Sequence, residues 1–180
     1  MYFVVAVRVS EEEAEAEVDV GPVAMHRSVA KYLEFYNHHR WRLKPHFQPG
    51  DPLYYDRDGT YAVTSLPEML RGKSLMQIMT AQSDKRVSDK NVASFQVLQK
   101  SRVLVCFDSR AAQYPPTWLS KRGFRLIDDA FLPAAPEGSG YGYAVFAKVV
   151  VEGTEVKLGG NKANGARRMY FCLVHAHGRQ

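Results

Sequence analysis

Long apolar runs are missing from this 180-residue sequence. A membrane-spanning helix needs roughly 18 uncharged apolar residues in succession, and the apolar opening from Met1 to Val9 already contains Arg8 before it runs into acidic residues. That excludes a spanning helix and argues against a cleavable signal peptide. Cysteine is scarce, with only Cys106 and Cys172, each inside an apolar run where a thiol behaves as a small buried hydrophobe. A disulfide framework is not expected. No Asn-x-Ser/Thr acceptor occurs either, so the expected setting is intracellular, cytoplasmic or organellar, with an extracellular location as the alternative. Also absent are a Gly-x-Ser-x-Gly elbow, a His-Glu-x-x-His pair, a nucleotide-binding loop and a Cys-x-x-Cys pair. With no catalytic constellation identifiable, the sequence reads as a non-enzyme with no cofactor and no bound metal.

What is present is core-forming material: 46% of the residues are hydrophobic, and 10 Tyr and 9 Phe supply ample burial capacity for one domain. The net charge of +5 conceals an asymmetry. Glu11, Glu12, Glu13, Glu15, Glu17 and Asp19 form an acidic run without a basic residue, leaving 24 basic against 13 acidic residues elsewhere. Such a basic body favours encounter with acidic surfaces without specifying one. The stretch His39-Arg40-Trp41-Arg42-Leu43-Lys44 could contact phosphates and stack on bases, but a helix end complementing its own dipole accounts for it equally well, so nucleic acid is an unlikely partner.

Alternating β-branched residues predict a strand over Met1 to Val9, and apolar positions three and four apart predict a helix from Val23 to about Arg40. Pro45, Pro49, Gly50 and Pro52 then form a connector. Beyond Leu53 the rhythm becomes short apolar runs between turns: Thr60 to Ser65, Leu75 to Met79, Ala93 to Gln99, Arg102 to Asp108, Arg125 to Asp128, Tyr143 to Val151, Glu155 to Leu158 and Met169 to His175. Turns are expected at Asp58-Gly59, Glu152-Gly153 and Gly159-Gly160-Asn161, where glycine can supply positive φ. The pattern predicts an all-β, antiparallel β-sandwich of jelly-roll type with an N-terminal helical extension, divided into an extension over 1-59 and a sandwich module over 60-180. Met1-Tyr2-Phe3-Val4-Val5-Ala6 also echoes Met169-Tyr170-Phe171-Cys172-Leu173-Val174, a short similarity that would fit a tandem module.

Three ordered segments carry a more specific signal: Ile78-Met79-Thr80-Ala81-Gln82-Ser83-Asp84-Lys85, then Val103 to Phe107 leading into Asp108-Ser109-Arg110-Ala111, then Pro116-Thr117-Trp118-Leu119. With Leu158-Gly159-Gly160-Asn161 and the closing apolar strand, this order resembles a β-sandwich module seen in bacterial extracellular multidomain proteins beside polysaccharide-degrading domains. The resemblance covers roughly residues 60-176, and it implies the sandwich fold and an association with polysaccharide-active proteins.

The motif residues Asp84, Lys85, Asp108, Ser109, Arg110, Trp118, Gly159, Gly160 and Asn161 read primarily as fold determinants, with Asp108 and Ser109 holding a turn and Arg110 forking onto a carboxylate or carbonyls. In the competing reading, Arg110, Tyr114 and Trp118 form a ligand platform on which a sugar stacks. His175 and His177 lie two apart and could bind metal with Cys172 or His46, but two ligands of uncertain geometry do not make a zinc site, and a solvated chain end explains them as well. Asp84, Asp89, Asp108, Asp128 and Asp129 show no spacing that selects a catalytic pair. The sequence therefore points to a non-catalytic interaction module. The first expectation is a structural subunit, partnered by other proteins of a large intracellular assembly, cytoskeletal or organellar. The alternative is a carbohydrate-binding module with a glycan as partner. Membrane insertion is not expected.

Overall fold

The computed structural model describes residues 33–36, 41–57, 61–88, 91–97, 99–134, 141–162 and 166–177. Within them, two antiparallel sheets are built from β1 (Leu33–Tyr36), β2 (Trp41–Lys44), β3 (Met76–Thr80), β4 (Ala93–Val97), β5 (Ser101–Asp108), β6 (Arg125–Pro133), β7 (Gly142–Val150), β8 (Glu155–Leu158) and β9 (Phe171–Ala176). One sheet has the order β1-β4-β8 and the other β2-β3-β9-β5-β7-β6. A short helix α1 (Thr117–Lys121) precedes β6. The all-β sandwich read from the sequence is the architecture found.

The central strands owe their position to their composition. Val103, Leu104, Val105, Cys106 and Phe107 of β5 are all buried, so this strand is apolar on both faces and belongs in the middle of the sheet, where β7 and β9 flank it. Directly opposed residues share a face. Cys106 therefore lies with Phe171, and Leu104 with Leu173 and Gln77. That face is covered by the chain from Phe47 to Tyr54: the Phe47 ring sits 5.9 Å from that of Phe171, and the buried Gln77 amide donates to the Leu53 carbonyl at 3.1 Å. The smaller sheet adds Phe95, Val97, Val156 and Leu158 to the same core.

Several expectations are corrected here. Residues 33–36, inside the expected helix, are strand β1, whose Leu33 to Tyr36 pair with Val97 to Ser94 of β4; residues 23–32 and 37–40 lie outside the described residues. Trp41 to Lys44, read as a helix end, is strand β2, with Trp41 opposite Thr80. In both cases a waiting strand edge outweighs an apolar spacing that also suited a helix. The boundary at 59/60 does not separate the described residues into two units, because β1 and β2 join the two sheets and Trp41, Phe47, Leu53 and Tyr54 are in the core. The expected strand over Thr60 to Ser65 reduces, from Tyr61 on, to isolated bridges, Pro52 with Ala62 and Val63 with Ala134. Strand β6 runs on to Pro133, past an irregular register between Leu126 and Phe131. The opening strand, the acidic run and the Asp58-Gly59 turn lie outside the described residues. Gly153 adopts the expected positive φ of 78°.

Both cysteines are free and fully buried, and burial pushes both thiols up, well above their ordinary range. Native protein at mildly alkaline pH is expected to leave Cys106 and Cys172 unmodified by a small alkylating reagent, with both reacting once denaturant unfolds the chain. Rapid labelling of either thiol under native conditions would contradict the packing described.

Candidate functional site

The motif segments converge at one end of the sandwich, around a chain run that is buried without being a strand. Met169 and Tyr170 are fully buried and Arg168 nearly so, yet regular pairing of β9 begins only at Phe171. Backbone groups in such a run must find partners or incur a large desolvation cost. Side chains supply them. The Asp108 carboxylate accepts from the Arg167 and Arg168 amides at 2.8 and 3.0 Å. Gln82 donates its amide to the Arg167 carbonyl at 3.1 Å and accepts from the Met169 amide at 2.8 Å. Asn161 donates to the Arg168 carbonyl at 2.9 Å, Tyr54 to that of Met169, and Thr80 to that of Tyr170. Residues 167 to 170 are thus fastened by Thr80 at the end of β3 and Gln82 just after it, Asp108 at the end of β5, Asn161 after β8, and Tyr54 from the connector.

Asp108 is the hub. Besides the two amides it accepts from the Arg110 amide at 3.2 Å and from the Arg110 guanidinium at 2.8 and 2.6 Å. Burial alone would raise its pKa, but the hydrogen bonds from the Arg110 side chain and from the Arg167 and Arg110 amides outweigh it and hold the carboxyl below the usual range. The group therefore stays ionised and its oxygens are committed to these donors.

The other motif residues fit around this hub. Trp118 donates its indole N–H to the Gly160 carbonyl at 2.8 Å and packs against Tyr170 and Phe124, with the Arg122 guanidinium 5.5 Å from its ring. Gly159 and Gly160 were expected to supply a turn with positive φ; neither does. Their requirement is close approach: a Cβ on Gly159 would sit 2.7 Å from the indole, and one on Gly160 only 2.3 Å from the Val87 carbonyl oxygen. Asp84 and Lys85 lie in a 3-10 turn, Gln82–Arg86, in which the Lys85 carbonyl accepts from Asn161 at 3.1 Å. The Ser109 hydroxyl accepts from the Gly142 amide at 3.4 Å.

Aromatic rings also pack against arginines at this end, some at the surface and some buried. The Arg110 guanidinium, held by Asp108, lies 4.6 Å from the centre of the Tyr141 ring. Tyr141 is 40% exposed and Tyr114, just beyond the Ser109–Ala111 turn, 66%. Arg168 stacks between Tyr61 and Tyr143, at 5.1 and 5.9 Å. The Tyr143 hydroxyl meets that of Tyr54 at 2.7 Å, and burial pushes Tyr143 up to about 12. Of the three residues proposed as a platform, Arg110 and Tyr114 thus face this surface, while Trp118 has its N–H engaged and its ring packed among Tyr170, Phe124 and Arg122. Sequence reasoning overlooked Tyr54, Gln82, Tyr141, Tyr143 and Arg168. The one available signal was a pair of polar residues, Thr80 and Gln82, closing an apolar run. His175, read as part of a solvated end, is buried in β9. Among the described residues, no three His, Cys, Asp or Glu side chains are placed to hold a metal ion.

No protein-family model and no curated protein matches the sequence. Among solved structures, the fold is similar to a β-glucuronidase from glycoside hydrolase family 2, with a TM-score of 0.66 and 22% identity over 81% of this chain. At that identity the likeness is one of fold. The chain spans 14% of the length of that enzyme.

Asp108→Asn is expected to lower stability by about 3 kcal/mol, read as the urea midpoint, because a buried paired charge is removed while its donors remain. The native carboxylate contributes stability that is complete above its unfolded pKa of about 3.9 and is lost as pH falls through the lower folded value. The variant should therefore show a flatter dependence of stability on pH below about pH 4. Gly160→Ala should cost on the order of 1–3 kcal/mol, since the opposing atom is backbone and cannot swing aside. Wild-type stability in either variant would contradict this account of the hub.

Proposed function

We propose that the chain is a non-catalytic accessory β-sandwich of a carbohydrate-processing protein, holding a glycan against the end where Tyr114 and Tyr141 are exposed and Arg110 is partly so. The observation that carries this reading is the Arg110–Tyr141 pair beside Tyr114. A sugar ring presents apolar C–H faces and a hydroxyl edge, and exposed aromatic rings next to an anchored guanidinium offer a complement to each. Because Asp108 fixes Arg110 on one side, the guanidinium is pre-organised and little rotamer freedom is lost on binding. The fold likeness to part of a glycoside hydrolase, and the resemblance of the motif order to modules beside polysaccharide-degrading domains, support this reading over the assembly subunit that the sequence first suggested. Leu126 and Phe131, exposed on edge strand β6, would serve as the apolar contact to an adjoining domain.

Affinity electrophoresis through gels containing different polysaccharides is the direct test. At least one polysaccharide is expected to retard the protein, with Tyr141→Ala and Tyr114→Ala each weakening binding about fivefold or more, the loss of one stacking contact. Absence of retardation by every polysaccharide tested, or binding untouched in both variants, would overturn the proposal.

A further inference from the structure

The end of the sandwich opposite Asp108 gathers cations. Strand β5 begins there with Ser101 and Arg102, which stand opposite Ala176 and His175 of β9, and the His177 amide donates to the Lys100 carbonyl at 2.9 Å. Lys73 completes the group. After burial, the charges of Arg102, Lys73 and His177 hold His175 below its ordinary range, and those of Lys100 and Arg102 act likewise on His177. Lys73 and Lys100 are exposed, Arg102 and His177 partly so. None of Lys73, Lys100 and Arg102 forms an ion pair with a described residue. Of the acids around the β7–β8 turn, Glu155 holds Lys157 and Ser94, and Glu152 pairs with none of these cations. Like charges gathered in this way repel, and an acidic partner relieves the repulsion.

The chain enters the sandwich at this same end. β1 runs antiparallel to β4, and its first residue, Leu33, stands opposite Val97, just before Lys100. Earlier in the chain is the acidic run, in which Glu13, Glu15, Glu17 and Asp19 alternate with Ala14, Ala16 and Val18. An extended chain puts alternate side chains on one face about 7 Å apart, so this pattern suits a ladder of carboxylates. Residues 20–32 link the run to β1 and span at most roughly 45 Å. Surface ion pairs are individually weak, but the tether makes their encounter intramolecular and lets several act together.

We propose that the surface formed by Lys73, Lys100, Arg102 and His177 is the docking site of the chain's own acidic run, which neutralises it and keeps other polyanions away. The proposal is independent of the carbohydrate reading, which concerns the opposite end.

Two measurements on the full chain test it. In the first, binding of dextran sulfate at low salt is compared between the native chain and a variant carrying Glu13→Gln, Glu15→Gln, Glu17→Gln and Asp19→Asn. The variant is expected to bind at least about tenfold tighter, and adding Lys100→Gln and Arg102→Gln should remove that gain. Absence of a gain would overturn the proposal, and so would a gain that survives the two added substitutions, which would then reflect net charge alone. In the second, a spin label is placed through Ala16→Cys, since the buried Cys106 and Cys172 do not compete for the reagent. Selective broadening of the Lys100, Arg102 and His177 amides, lost at raised salt, is the expected result. Broadening centred on Arg110, or spread evenly over the sandwich, would contradict it. Broadening that appears only between labelled and unlabelled chains in a mixture would also contradict it, as a contact between copies. Should the Lys100 and Arg102 substitutions prevent folding, the spin-label measurement decides.

Discussion

A buried run of backbone that is not part of a sheet has to be hydrogen-bonded by side chains, and this constraint organises one end of the protein. The amides and carbonyls of residues 167 to 170 are met in succession by Asp108, Gln82, Asn161, Tyr54 and Thr80. These side chains come from four separate stretches of chain, Thr80 and Gln82 sharing the end of β3, so the set fixes how β3, β5 and β8 terminate relative to β9. Asp108 carries the largest share because a carboxylate can accept from several donors at once, and charge-assisted bonds are stronger than neutral ones. The same commitment explains why it is a poor candidate for acid–base work: both oxygens are engaged by fixed donors and its pKa is held low.

The sequence revealed the architecture through runs such as Val103 to Phe107, whose continuous apolar, β-branched character between turn signals suits a strand buried on both faces. Strands β4, β5, β7, β8 and β9 fall within a few residues of their expected positions. Leu33 to Tyr36 and Trp41 to Lys44 were misread because four-residue strands carry no periodicity of their own; their identity comes from the edges they complete. At the site, Asp108, Asn161 and the glycines were visible as motif residues, but the reason for Gly159 and Gly160 was not. Their need is steric contact with Trp118 and Val87, which chain spacing cannot express. Arg168 was invisible for a related reason, since a basic residue in a basic chain gives no hint of being buried.

The architecture and the surface chemistry divide the labour. Hydrogen bonds inward from Asp108 to the backbone make the end of the sandwich rigid, and the same carboxylate anchors Arg110 outward against Tyr141. A rigid end that carries tyrosines and an anchored arginine offers the fixed contacts that the proposed recognition role requires. In this account the fold determinants and the binding surface are two sides of one cluster, which is why the two readings of Arg110 drawn from the sequence do not exclude each other.

The central claim is that residues 167 to 170 are locked by side-chain partners as firmly as a strand is by its neighbours. Native-state hydrogen exchange of the Arg167, Arg168 and Met169 amides tests it most directly. The account predicts that these three exchange as slowly as the amides of β9, opening only with the whole sandwich. Exchange at the rate of an exposed loop would contradict it.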